Sequence, residues 1–196
     1  NDRLFIANYG AHRVTVYDIS AIVDGENAVN VLGQADFVTG TATNTQSGMN
    51  QPRGLAYDSA NQRLFVGQVA ANRVTIFDVA AITNGEAALN VLGQANFTAS
   101  AAANTQVGMN TPFEVTYDPN GDRLYVANFG AHRVTIYDVA GITNGEAAVD
   151  LLGQYDGTSY TNPVPSYTRA AANDTPNRIG FNQPQGLVID RANNRA

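Results

Sequence analysis

"RLYVANFGAHRVTIYD" (residues 123–138) is the third copy of one string. The first copy is "RLFIANYGAHRVTVYD" (3–18) and the second is "RLFVGQVAANRVTIFD" (63–78), so the three stand at one constant period and align without gaps. Self-similarity at a fixed period is the signature of a repeat architecture and is read before anything else. The flanking segments keep the period. "VLGQADF" (31–37), "VLGQANF" (91–97) and "LLGQYDG" (151–157) follow each copy, and "NQPRGLAYD" (50–58) and "NTPFEVTYD" (110–118) precede the next. A further member, "NQPQGLVID" (182–190), arrives late against that period, which places an insertion within 154–184.

Each unit holds short runs rich in Val, Ile, Phe and Tyr, bounded by Asn, Gly, Asp and Pro, as strands are. In the second unit they are "RGLAYD" (53–58), "RLFVGQ" (63–68), "RVTIFDV" (73–79) and "LNVLGQ" (89–94). In "RVTIFD" both alternating faces carry apolar or β-branched residues, which predicts a strand packed on both sides. The connection 79–90 has room for a helical turn, but Asn84-Gly85 breaks anything longer. Four antiparallel strands per unit, both faces buried against neighbours, is the logic of a propeller blade. The expected fold is therefore all-β: a β-propeller of four-stranded antiparallel blades, with three repeat units in the chain.

The 196 residues suffice for one domain, 44% hydrophobic and 14% charged, a composition of folded rather than disordered chains. The net charge is -6 and every basic residue is an arginine, a balance that disfavours phosphate backbones and anionic lipid. No nucleic acid and no membrane insertion are expected, since no apolar run approaches the roughly 20 residues of a span. With no cysteine, the chain holds no disulfide, thiol nucleophile or cysteine metal ligand.

The pattern Pro-x-Gly-Leu-x-x-Asp, then Arg-Leu-(Phe/Tyr)-Val-Ala-Asn, then (His/Asn)-Arg-Val-x-(Ile/Val)-(Phe/Tyr)-Asp resembles NHL-repeat β-propellers. The resemblance covers essentially the whole chain, and the units are longer than usual for that family, like those of bacterial proteins. It implies that one loop face supplies the contacts, as in NHL proteins that bind RNA or peptides; the neutral polar loops here are a poor fit to phosphate, so a protein or glycan is the expected partner.

The units divide as 1–50 (strands two to four of a blade), 51–110 (a blade), 111–182 (a blade with the insertion) and 183–196 (the first strand of a further or closing blade). Three blades fall short of a ring, which typically has about 4 to 8. Three readings stay open. The chain is a piece of a longer propeller; or two copies close a six-bladed ring; or exposed end strands add chain to chain in an open assembly.

His12 and His132 fill a repeat position that Asn72 fills in the middle unit, so architecture is expected of them rather than a metal site. Asp58, Asp118 and Asp190 end first strands, and Asp18, Asp78 and Asp138 end third strands. Their periodicity predicts turn capping. Arg13, Arg73 and Arg133 recur in the same structural way.

Residues that break the repeat are the candidate binding face. The x of Pro-x-Gly is Arg53, Phe113 or Gln185, and Glu114 replaces the middle Gly. Tyr9 and Phe129 open the second-to-third strand loops on the same face. The insertion adds Tyr155, Tyr160, Tyr167 and Arg169, residue types that suit binding surfaces. In propeller lyases that resemble NHL proteins, channel histidines open the inner strands; here those positions carry Arg53, Phe113 and Gln185. No Ser/His/Asp motif stands out either. The expectation is a non-catalytic module with no metal and no cofactor, extracellular or at the cell surface, with a self-assembling subunit joined through end strands as the first alternative and a propeller hydrolase or lyase with a channel metal as the second.

Overall fold

The computed structural model describes residues 2–156, 164–175 and 177–190. Strands β1 (Arg3–Asn8), β2 (Arg13–Asp18) and β3 (Asn30–Leu32) form one antiparallel sheet. The second sheet is β4 (Pro52–Asp58), β5 (Arg63–Gln68), β6 (Arg73–Asp78) and β7 (Asn90–Leu92). The third is β8 (Pro112–Asp118), β9 (Arg123–Asn128), β10 (Arg133–Asp138) and β11 (Asp150–Leu152). These are blades of a β-propeller: the second and third are four-stranded meanders running from an inner first strand to an outer fourth, and the first shows the last three of those strands.

The hairpin registers repeat: Arg3 faces Asp18, Arg63 faces Asp78 and Arg123 faces Asp138. The aspartates cap the turns as their period requires. Asp58 Oδ1 accepts the amides of Ala60 and Asn61 at 3.0 and 3.2 Å, and Asp118 accepts that of Asn120 at 3.1 Å. Asp18, Asp78 and Asp138 take the amides of Ser20, Ala80 and Ala140. The outer strands stop sooner than their apolar run predicts. Gly33 and Gly93 turn to φ 87° and 84°, and Met49 and Met109 fill the space where a Cβ would stand.

Two apolar seams hold the blades together. Between the first and second blades lie Val14, Leu32 and Met49 against Leu64, Val66, Phe77 and Val79. Between the second and third lie Phe65, Val74, Ile76 and Leu92 against Val115, Leu124, Val126 and Tyr137. Phe65 and Tyr117 stack across that seam with centroids 5.6 Å apart. The side chains of one strand thus alternate between two seams, which is why "RVTIFD" reads apolar on both faces.

Polar staples repeat at the outer rim. The Asn84 Oδ1 accepts the Val31 amide and the Asn144 Oδ1 accepts the Val91 amide, each at 3.0 Å. The connection with room for a helical turn is built around this Asn-Gly turn, which grips the outer strand of the preceding blade. Arg63 Nη1 likewise donates to the Val139 carbonyl at 2.7 Å, while its fork holds the buried Asp58 at 2.7 Å.

The insertion forms a small hairpin, β12 (Tyr155–Asp156) with β13 (Val164–Pro165), and Gly153 bridges Gly180 in parallel. Residues 184–189 belong to no ladder. They run against the third blade, where the Thr116 hydroxyl donates to the Leu187 carbonyl at 3.3 Å.

Candidate binding face

One end of the propeller is built by the starts of the inner strands, the second-to-third strand loops and the long connections between blades. His12, Asn72 and His132 sit at its joints. All three are left-handed, at φ 51°, 49° and 51°. Asn and His tolerate that conformation better than most residues. Each also supplies an acceptor to the next blade. His12 Nδ1 takes the Gln51 amide at 3.1 Å, Asn72 Oδ1 the Thr111 amide at 2.8 Å, and His132 Nδ1 the Gln183 amide at 3.1 Å. Those amides are themselves held left-handed, at φ 55°, 54° and 52°. The position therefore needs a short side chain that accepts a hydrogen bond and tolerates positive φ.

The recurrent arginines stitch successive connections together. Arg73 is 0% exposed. Its guanidinium donates to Thr45 O and Gly48 O at 3.2 Å on the connection entering its blade, and to Phe97 O on the one leaving it. Gln68 Oε1 takes its Nε and Nη2 at 3.3 and 3.2 Å. Burial pulls its pKa down to about 10. Arg133 does the same with Thr105 O, Gly108 O and Tyr167 O, but its Nε is without a partner. Asn128 stands where Gln68 stands in the second blade, one methylene too short to reach it.

On this frame three of the repeat-breaking residues meet. The Arg53 guanidinium lies over the Phe113 ring, 3.9 Å from its centroid. Phe113 stacks on Phe129 with centroids 4.4 Å apart. Arg53 is exposed and both rings are half-buried. The stack crosses from the second blade to the third because β4 and β8 converge here: a Cβ on Gly54 would stand 2.7 Å from the Glu114 Cα and the Val115 nitrogen. Glu114, beside the stack, completes the charge pattern. Burial raises its carboxyl pKa, against the Val115 amide and the Arg53 charge. A guanidinium, two stacked rings and a partly buried carboxyl whose charge is felt by Arg53 are thus gathered where β4 and β8 converge.

The other candidates distribute differently. Arg169 lies 5.8 Å from the Tyr155 ring centroid and donates to the Tyr155 carbonyl at 2.9 Å, so these two pair on the insertion. Tyr167 packs against the second seam, with its carbonyl spent on Arg133. Tyr9 and Gln185 are exposed at their repeat positions, apart from the stack. Tyr160 lies outside the described residues. The sequence signal for Glu114 was present, as the one residue replacing the inner-strand Gly. Among the described residues no group of three or more His, Asp or Glu is placed to hold a metal ion, and no helix is long and apolar enough to cross a membrane.

No family model matches the chain. The chain is 24% identical over 191 residues to the Arabidopsis thaliana protein SUPPRESSOR OF QUENCHING 1, chloroplastic, a match covering 96% of this chain and 16% of that protein. Among solved structures it is similar to a chain of Kuenenia stuttgartiensis hydrazine synthase, with 18% identity, a TM-score of 0.49, and 74% of this chain against 32% of that one. It is also similar to a chain of a nidogen/laminin complex, with 18% identity, a TM-score of 0.49, and coverage of 76% and 42%. The chain thus spans a minor part of each protein it resembles.

Proposed function

We propose that this chain is part of a non-catalytic propeller of the NHL type, which binds a protein segment on the face built by Arg53, Phe113, Phe129 and Glu114. The observation that carries this reading is the ladder of Arg53 on Phe113 on Phe129, at 3.9 and 4.4 Å, in which Arg53 and Phe113 fill one repeat position with unlike residues. A repeat fold fills equivalent positions alike where packing alone decides. Here the three inner-strand starts carry Arg, Phe and Gln, as an asymmetric ligand requires. Arg and aromatic residues are also the usual anchors of protein interfaces. The neighbouring loops, rich in Thr, Asn, Gln and Ala, supply a neutral polar rim that suits contact outside the cytoplasm or at a cell surface.

A phage-displayed peptide library panned on the chain tests this. Enriched peptides should lose binding to Arg53→Ala and to Phe113→Ala, each by about 1–3 kcal/mol if these are anchors. Peptides that bind both variants as well as the parent, or a chain that binds a glycan array and no peptide, overturn the reading.

A further inference from the structure

The chain holds three Asn-Gly pairs, at 84–85, 120–121 and 144–145. Asparagine is a thermolabile residue, and most so before glycine, where no Cβ hinders the glycine nitrogen from reaching the asparagine Cγ. Two of the three pairs are clamped. Val31 grips both reacting groups of the first: its amide donates to Asn84 Oδ1 at 3.0 Å, and its carbonyl accepts the Gly85 amide at 3.1 Å. Val91 grips another in the same way, with Asn144 Oδ1 at 3.0 Å and the Gly145 amide at 2.9 Å. Asn30 and Asn90 add a second donor to each oxygen, at 3.4 Å. Before either glycine nitrogen can attack, both groups must let go of the neighbouring blade.

The remaining pair is open. Asn120 and Gly121 are exposed in the turn between β8 and β9. Asp118 Oδ1 takes the Asn120 amide at 3.1 Å, which holds the turn but neither reacting group. Among the described residues, the Asn120 side chain and the Gly121 amide have no hydrogen-bond partner. The exposure belongs to the turn and does not depend on what flanks the third blade. The second blade is flanked on both sides, and its equivalent turn, 59–62, is exposed at every residue.

We propose that Asn120 is a spontaneous modification site, which converts to aspartate and isoaspartate in the folded chain, while the seams hold Asn84 and Asn144 back. Hydroxide takes the Gly121 amide proton, and the nitrogen attacks the Asn120 Cγ. A new C–N bond forms, the bond from Cγ to the side-chain nitrogen breaks, and that nitrogen leaves as ammonia with a proton from water. The cyclic imide adds one water at either carbonyl and opens to aspartate or to isoaspartate, with no change of oxidation state. The product gains a negative charge in a turn already bounded by Asp118 and Asp122. The turn lies at the opposite end of the blade from Phe113, so the site is independent of the peptide ligand proposed above.

Peptide mapping by mass spectrometry after incubation in mildly alkaline buffer tests it, on the folded chain and on the same chain unfolded in urea. Fragmentation of the tryptic peptide 74–123 separates Asn84 from Asn120, and the peptide 134–169 carries Asn144. Unfolded, the three sites should convert at similar rates. Folded, Asn120 should keep its unfolded rate, and Asn84 and Asn144 should each be slower by about tenfold or more, because a clamp of hydrogen bonds must open first. Gly121→Ala should slow the Asn120 reaction by about tenfold by placing a methyl beside the attacking nitrogen. The fold should survive that change, as far-UV circular dichroism would show: Gly121 is not left-handed, and its Cβ would meet only the Arg123 Cγ, at 3.6 Å. Equal folded rates at the three sites, an Asn120 that is stable until the chain unfolds, or a Gly121→Ala chain that converts as fast as the parent would each overturn the proposal.

Discussion

Replacing Arg73 with Met should unlace the binding face. The guanidinium is wholly buried, faces no carboxylate, and is solvated by Thr45 O, Gly48 O, Phe97 O and Gln68 Oε1. Removing the donor leaves four acceptors in a dry site, at about 1 kcal/mol or more each. Relief from burying a charge offsets part of that loss, and a net destabilisation of about 3 kcal/mol remains. Arg13 is the internal control. It occupies the same repeat position and, among the described residues, donates to Phe37 O and Thr39 O, on the connection leaving its own blade. Arg13→Met should therefore cost about 1 kcal/mol. Arg73→Lys should behave nearly as badly as Arg73→Met, because a compact ammonium cannot span two loops as a planar fork does. Urea denaturation followed by circular dichroism reads all three, which suits a chain without tryptophan. Equal losses for Arg73→Met and Arg13→Met, within about 0.5 kcal/mol, would show that stitching successive loops contributes nothing beyond a local bond.

Other perturbations separate the remaining contacts. Asn128→Gln should add about 1 kcal/mol by giving the partnerless Arg133 Nε the acceptor that Gln68 gives Arg73; no gain in urea midpoint would sink that account. Asn72→His should be nearly neutral, since His12 and His132 do the same work. Asn72→Ala should cost about 2 kcal/mol through a lost acceptor and a strained positive φ, and equal stability of the two variants would refute the joint's logic. Glu114, Glu86 and Glu146 all have carboxyl pKa values raised by burial. Folded pKa above unfolded pKa means that their contribution is fully present below the ordinary glutamate range and lost as pH rises through the raised value. Stability should thus climb as pH falls from neutrality toward about 5. Glu114→Gln should flatten part of that climb, and an unchanged slope counts against a desolvated carboxylate. Asp58 acts in the opposite direction. Burial alone would raise its pKa, but hydrogen bonds from Asn61 and Arg63 outweigh it and hold the value below the usual range. Its contribution is present above the unfolded aspartate value and lost as pH falls below about 4, so acid unfolding should begin there and later in Asp58→Asn.

The blades were legible because packing imposes one period on every level. Phe65 and Val66 alternate because β5 serves two seams, and the same apolar alternation recurs at Phe5-Ile6 and Tyr125-Val126. The joint residues were legible as repeat positions, but their task was not. His12 and Asn72 look unlike until geometry shows one acceptor on one left-handed backbone. The stack was half legible. Arg53 and Phe113 stand a full repeat apart at equivalent positions, and only the approach of β4 to β8 at Gly54 brings one over the other. The insertion gave least. Its tyrosines suggest a surface, yet Tyr167 lends its carbonyl to a buried arginine, a backbone role that no side-chain identity announces. Nor did the apolar run "LNVLGQ" foretell that Gly93 turns the chain aside after Leu92.

The Asn-Gly turn at the outer rim has a consequence for how such a chain changes length. Asn84 reaches back to Val31 and Asn144 to Val91 across the same interval of sequence, as Arg3 reaches Val79 and Arg63 reaches Val139. Every joint is thus written twice, once on each neighbour, in the same phase. Splicing out residues 61–120 would rejoin the chain in register, with Gly121 following Ala60 as Asn61 now does and Arg123 standing where Arg63 now stands. A gene built this way can gain or lose whole blades by unequal crossing-over without inventing a new contact, whereas a shift of a single residue would mismatch every joint downstream.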